Sequence, residues 1–249
     1  MNKLKYIVNT KAFHLCMVIV IIAVILFVVG ILVLRYNVEG ETNMPFVLTK
    51  IAVISSQEGL DKDAVDAKWA FDLYQTNDIY LYISKNDKYK EQAVISSISI
   101  ENFNIEALNE NNIKIYKPDS EDENTLFRYK DEDIVQNIEY IADTKSDLKN
   151  LKISNQGGIV AFRCSNNDII EYKSNDEEIN HNELLKKAGI TEEQLKFKLT
   201  FDLTIKLDGG KEYKTTINLD LPTGNIIEEG TSSKEFTELD DLIFKREKN

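Results

Sequence analysis

The chain has 249 residues, with 30 Lys and Arg against 42 Asp and Glu and a formal net charge of −12. The four basic residues up to Arg35 are met by no acid in that stretch, so the remainder carries 26 basic against 42 acidic side chains, a formal −16. So acidic a remainder argues against nucleic acid or anionic lipid headgroups as partners, because binding phosphates needs clustered Lys and Arg.

Phe13 to Leu34 holds 22 residues without a charge. At about 1.5 Å per residue they reach the roughly 30 Å of a bilayer core. The run is longer than the apolar region of a cleaved signal, about 7 to 15 residues, and no small-residue cleavage site follows it. We therefore expect an uncleaved anchor: a cytoplasmic tail over residues 1–12, a membrane span over 13–35 and a polar tether over 36–45. Lys3, Lys5 and Lys11 precede the span, which places the amino terminus in the cytoplasm and the rest outside a cell membrane crossed once. Cys16, Ala23 and Gly30 fall seven apart on one helix face, a stripe that could support weak self-association. Only Cys164 lies beyond the span, so no intramolecular disulfide forms there.

From Pro45 the period changes to two. Phe46 to Ile54 reads as a strand that ends at Ser55–Gly59, and Leu60 to Ala67 as an acidic loop or short helical turn. Asp61, Asp63 and Asp66 in that loop lack the glycine and distal Glu of an EF-hand, so a solvated loop and a calcium site are both left open. Trp69, Phe71 and Leu73 share a face, Thr76-Asn77-Asp78 reads as a turn, and Ile79 to Ser84 as the next strand. Val94 to Ile105, Ile113 to Tyr116, Leu126 to Lys130 and Ile134 to Ala142 follow as strands. In the second half the spacing predicts strands over Leu148–Ser154, Ile159–Cys164 and Ile169–Lys173, with Cys164 a buried small hydrophobe. Asn180 to Glu183 opens a short helix as a capping box that closes at Gly189, and Thr191 to Gln194 offers a second capping turn. Phe197 to Leu207 then alternates without a break, turns at Asp208-Gly209-Gly210 and returns through Tyr213 to Leu221, the clearest hairpin in the chain.

The halves look alike. Ile54-Ser55-Ser56-Gln57 matches Ile153-Ser154-Asn155-Gln156, Asn77-Asp78-Ile79 matches Asn167-Asp168-Ile169, and Ile113, Ile115 and Pro118 match Ile217, Leu219 and Pro222. Ordered matches at strand and turn positions suggest tandem copies. The expected fold is all-β: two immunoglobulin-like antiparallel β-sandwich domains over 46–143 and 147–249, one short helix in the second. The stretches Ser99–Phe103, Leu151–Gly158 and Asn218–Gly224 resemble uncharacterised single-pass membrane proteins of Gram-positive bacteria, a resemblance that brings no assigned activity.

Little in the sequence points to a reaction. His181 is the sole histidine beyond the span and neighbours neither Ser nor Cys in a recognisable motif, no GxSxG, Walker loop, GxGxxG or HExxH occurs, and zinc ligands are too few. No cofactor, metal or catalytic residue is expected. The best polar candidates are the repeated turn positions Asn77, Asp78, Asn167 and Asp168, which tight turns also explain. The expected role is a non-catalytic interaction module for a protein or cell-envelope polymer. The alternative is a carboxylate-dependent hydrolase of surface glycans.

Overall fold

The computed structural model describes residues 11–42, 44–89, 92–107, 112–119, 121, 125–128, 130–239 and 241–247. The expected cytoplasmic tail lies outside them up to Thr10, as do residues 120 and 122–124. Helix α1 spans Lys11–Thr42 and contains His14–Val33, a stretch long and apolar enough to cross a membrane. Its large apolar side chains, Leu15, Phe27 and Leu32 among them, are exposed rather than packed into a core. The helix runs through most of the expected tether, since no proline interrupts it before Pro45.

The rest of the chain is mostly β, in two sheets. One has the order β10–β1–β2–β7–β4, built from β1 (Phe46–Asp61), β2 (Trp69–Lys85), β4 (Asn112–Tyr116), β7 (Gly158–Ser174) and β10 (Thr231–Phe236). The other has the order β11–β9–β8–β3–β5–β6, built from β3 (Ile95–Ala107), β5 (Ile138–Asp143), β6 (Lys152–Ser154), β8 (Phe197–Leu207), β9 (Glu212–Leu221) and β11 (Lys245–Arg246). Every pairing is antiparallel except β5 with β6. The β8–β9 hairpin and the two capping turns stand where the sequence places them, Asn180 accepting from Asn182 N and Thr191 and Gln194 forming a complete box.

The strands of the two halves interleave in both sheets. β7 lies between β2 and β4, and β3 pairs with β5 on one side and β8 on the other. The boundary expected near Asp143 to Asp147 therefore separates no pair of sandwiches, and Phe71 cannot superpose on Phe162 as its counterpart, because they occupy neighbouring strands of one sheet. The reason is burial. Phe162 on β7 meets Phe201 on β8 edge-on, with ring centroids 5.1 Å apart, and Phe103 on β3 at 5.3 Å, so the first half supplies part of the cover for the second. The expected strand breaks at Ser55–Gly59 and Thr76–Asp78 are also absent, since β1 and β2 pair continuously from Gly59 and Leu73 back past Ile54 and Asp78. The described residues of the stretch expected as a strand over Leu126–Lys130 form none; a 3-10 turn, Asp131–Asp133, follows.

These long strands carry two cores. Toward one end of the first sheet, Phe46, Ile51, Val53, Ile79, Leu81, Val160 and Phe162 pack on the second sheet. Toward the other, Phe71 and Leu73 are covered by helix α2 (Leu184–Lys187), α3 (Glu192–Leu195) and α4 (Ile226–Glu229) through Leu184, Leu185, Leu195, Ile226 and Ile227. Gly59 permits this contact, because a Cβ there would stand 2.9 Å from Leu184 Cδ1. Between the cores runs a buried polar seam of Ser55, Gln57, Gln75, Asn77, Asn166 and Thr223.

One tyrosine ties the sheets. Tyr140 on β5 is fully buried; its hydroxyl donates to Ala161 O at 2.6 Å and accepts from Ala161 N at 3.0 Å. Burial holds this phenol, and the Cys164 thiol, protonated well above their ordinary ranges. An acid whose folded pKa is raised contributes fully below its unfolded value, and the contribution is lost as pH rises past it. Thermal melts of the full chain should therefore fall as pH climbs from about 8 toward 10.5, the ordinary Cys and Tyr values being about 8.5 and 10. Tyr140→Phe should flatten the upper part of that slope while lowering stability at pH 7 by about 1 to 3 kcal/mol, the cost of leaving buried peptide groups unpaired. A melting temperature flat with pH in the wild type would reject the account.

Candidate functional site

Asn77 sits on the inner face of β2, fully buried in the seam. Its Oδ1 accepts from Ser55 Oγ at 2.7 Å and its Nδ2 donates to Cys164 O at 3.3 Å, while Ser55 Oγ accepts from Thr223 N at 2.9 Å. Gln57, one step along, accepts from Leu185 N at 2.8 Å and donates to Asn182 O, tying the helical cap to the sheet. Neither side-chain polar atom of Gln75 has a hydrogen-bond partner among the described residues, although the residue is buried. Asn77 is thus a structural polar group and not a turn residue: its side chain finds partners across three strands, which removes the need for a chain reversal.

Asn167 and Asp168 are likewise inside a strand, but there the sequence signal has a local meaning. The register between β2 and β7 jumps between Leu73 and Gln75, so that Asn167 to Ile169 oppose Tyr74 alone. This is a bulge, and Asp168 takes the left-handed conformation, φ 53°, that Asx residues tolerate. Asn167 accepts from Ser165 Oγ at 2.6 Å and donates to Tyr116 OH at 2.8 Å, and Asp168 accepts from Asn112 Nδ2 at 2.9 Å. The structure brings all four candidates onto adjacent strands without gathering them into one cluster.

Asp78 points the other way, onto the outer face of the first sheet. Arg163, directly opposite on β7, forks onto it, Nε to Oδ1 at 2.5 Å and Nη2 to Oδ2 at 2.9 Å, and the guanidinium carbon lies 5.0 Å from the Phe127 ring centroid. Next along β2 on the same face come Tyr80 and Tyr82, both half-buried. Tyr80 stands in register between Ala52 and Ala161, and the Lys50 ammonium lies 4.3 Å from the Tyr82 ring centroid. Desolvation pushes the Tyr80 phenol up to about 12 and raises the Glu58 carboxyl, the latter opposed by Arg163. The result is an aromatic shelf bounded by a fixed ion pair. Sequence reading missed Arg163, Tyr80, Tyr82 and Glu58; the i, i+2 spacing of Tyr80 and Tyr82 against Ile79, Leu81 and Ile83 is the signal that puts both rings on the solvent side.

In a hollow of about 410 Å³, Asp119 pairs with Arg128, Arg128 Nη2 also reaches Glu121 at 3.0 Å, and Lys117 lies 3.9 Å from Asp133. His181 packs edge-on against Phe71 at 5.6 Å. Among the described residues no group of three or more His, Cys, Asp or Glu could hold a metal ion, the loop of Asp61, Asp63 and Asp66 included. Fold and surface together describe a mostly β, two-sheet protein with one apolar amino-terminal helix. No family model matches the chain, and neither a curated protein nor a solved structure matches it.

Proposed function

We propose that the chain is a single-pass protein of the cell membrane, amino terminus in the cytoplasm, whose extracytoplasmic sandwich works by binding a protein or a cell-envelope polymer, in the manner of immunoglobulin-like modules. The observation that carries this reading is the shelf of Tyr80 and Tyr82. Rigid half-exposed aromatics on a sheet face offer large contact area at small entropic cost. The Asp78–Arg163 pair beside them is already locked and so suits recognition better than proton transfer. Weak self-association through Cys16, Ala23 and Gly30 would add avidity within the membrane.

The hydrolase alternative draws on Glu58, a carboxyl that desolvation raises, with Asp78 four residues along β2 from its register partner Tyr74; acid catalysis at a glycan requires two carboxylates. Against it stands Asp78 itself, whose oxygens both accept from Arg163. The full chain, displayed on intact cells, should capture envelope material or a protein by crosslinking, and Tyr80→Ala with Tyr82→Ala should cut capture at least tenfold with an unchanged melting temperature. Glycan turnover that disappears in Glu58→Gln would replace the binding reading with the hydrolase.

A further inference from the structure

We propose that the polar seam between the two cores is a hydration site: an ordered water, held by the side chain of Gln75, bridges β2 to β7 on the covered face of the first sheet. Gln75 lies on the inner face of β2 and is fully buried, and neither its Nε2 nor its Oε1 has a hydrogen-bond partner among the described residues. A side-chain amide carries two donors and an acceptor, and leaving them stranded out of water costs more than one net hydrogen bond gains. Buried polar groups of folded proteins are therefore paired almost without exception, with protein or with ordered water.

The neighbours of Gln75 are turned elsewhere. Register sets it between Gln57 on β1 and Asn166 on β7. Both polar atoms of Gln57 serve the helical cap, Oε1 accepting from Leu185 N at 2.8 Å and Nε2 donating to Asn182 O. In the next row Asn77 is engaged by Ser55 Oγ and Cys164 O, and Ser55 Oγ in turn accepts from Thr223 N. Asn166, only 2% exposed, is the polar neighbour on the other side. Directly beyond that pair the ladder breaks, where Asn167 to Ile169 oppose Tyr74 alone. A bulge bends its strand and leaves a peptide unit out of the ladder, so it opens the sheet and frees backbone groups beside the side chain that lacks them. A buried water makes about three hydrogen bonds, and Gln75, Asn166 and the bulge can supply that number. The seam residues carry no charge and the two cores close the seam on either side, which suits water better than an ion or a larger solute.

The test is magnetisation transfer from water to the Gln75 side-chain amide, measured by NMR on the full chain in detergent micelles with isotope-labelled glutamine. Expected is a cross-peak with the sign of dipolar contact to a bound molecule, opposite to that of chemical exchange. The resonance is assigned by its loss in Gln75→Met or, should that variant not fold, by through-bond connection to its own backbone. No such cross-peak, or contacts to the Asn166 side chain in its place, would overturn the proposal. Gln75→Met, of similar volume, gives a second reading. Removing a hydrated amide strands the groups that the water bridges, so the melting temperature should fall by about 2–8 °C, whereas a dry, unpaired amide is better replaced by a thioether. A melting temperature equal to or above that of the wild type would therefore also count against the water.

Discussion

Phe162→Ala is expected to cost about 3–5 kcal/mol, the usual penalty for emptying a buried aromatic site. More telling is the form of the transition. Phe162 touches Phe103 from the first half and Phe201 from the second, and its strand is hydrogen-bonded to β2 and β4 on either side. The loss should therefore lower one cooperative transition for the whole sandwich, read alike by tyrosine fluorescence and far-ultraviolet dichroism. Two transitions, only one of them shifted, would show that the halves fold apart and would restore the tandem arrangement that the sequence suggests.

Breaking the ion pair on the outer face should have the next largest effect. Asp78 and Arg163 each leave only 15% of the side chain exposed. Arg163→Met strands a largely buried carboxylate, and a cost of about 3 kcal/mol follows from the usual penalty for removing one partner of a buried pair. Asp78→Asn retains hydrogen-bond acceptance through its amide oxygen and should cost less. The double variant should be less destabilised than the two losses summed, with a coupling of about 1.5 kcal/mol or more in a double-mutant cycle. Simple additivity would mean that Phe127 and the sheet hold the guanidinium, with the carboxylate contributing nothing.

How far the sequence could be read follows from where its signals were local. Phe197 to Leu221 alternates without interruption around a two-glycine turn, and β8 and β9 appear where that pattern puts them. β2 and β7 could not be recognised as single strands of 17 residues, because the polar seam and the bulge interrupt their apolar alternation with Asn77-Asp78 and Asn167-Asp168, residue pairs that turns also favour. The similarity of those two stretches is one of composition with different causes: Asn77 lies in the polar seam, whereas Asn167 and Asp168 form the bulge. β10, with the sequence Thr-Ser-Ser-Lys-Glu-Phe, has no apolar alternation to betray it and is held by backbone pairing to β1. Which strands pair across the chain midpoint is decided by contacts far apart in sequence, and no local pattern encodes them. At the candidate site Asp78 was legible as a residue, whereas Arg163, between Phe162 and Cys164, reads only as an outward-facing polar position.

The Tyr140 hydroxyl has a second consequence. β4 ends with Tyr116 opposite Arg163, two residues short of Ala161, so the lower stretch of β7 would otherwise present peptide groups to any passing strand. By engaging both the N–H and the C=O of Ala161, the phenol occupies the place a foreign backbone would take. An open sheet margin is a template for pairing between chains. A single side chain from the opposite sheet thus serves as a guard against aggregation as well as a tie between layers.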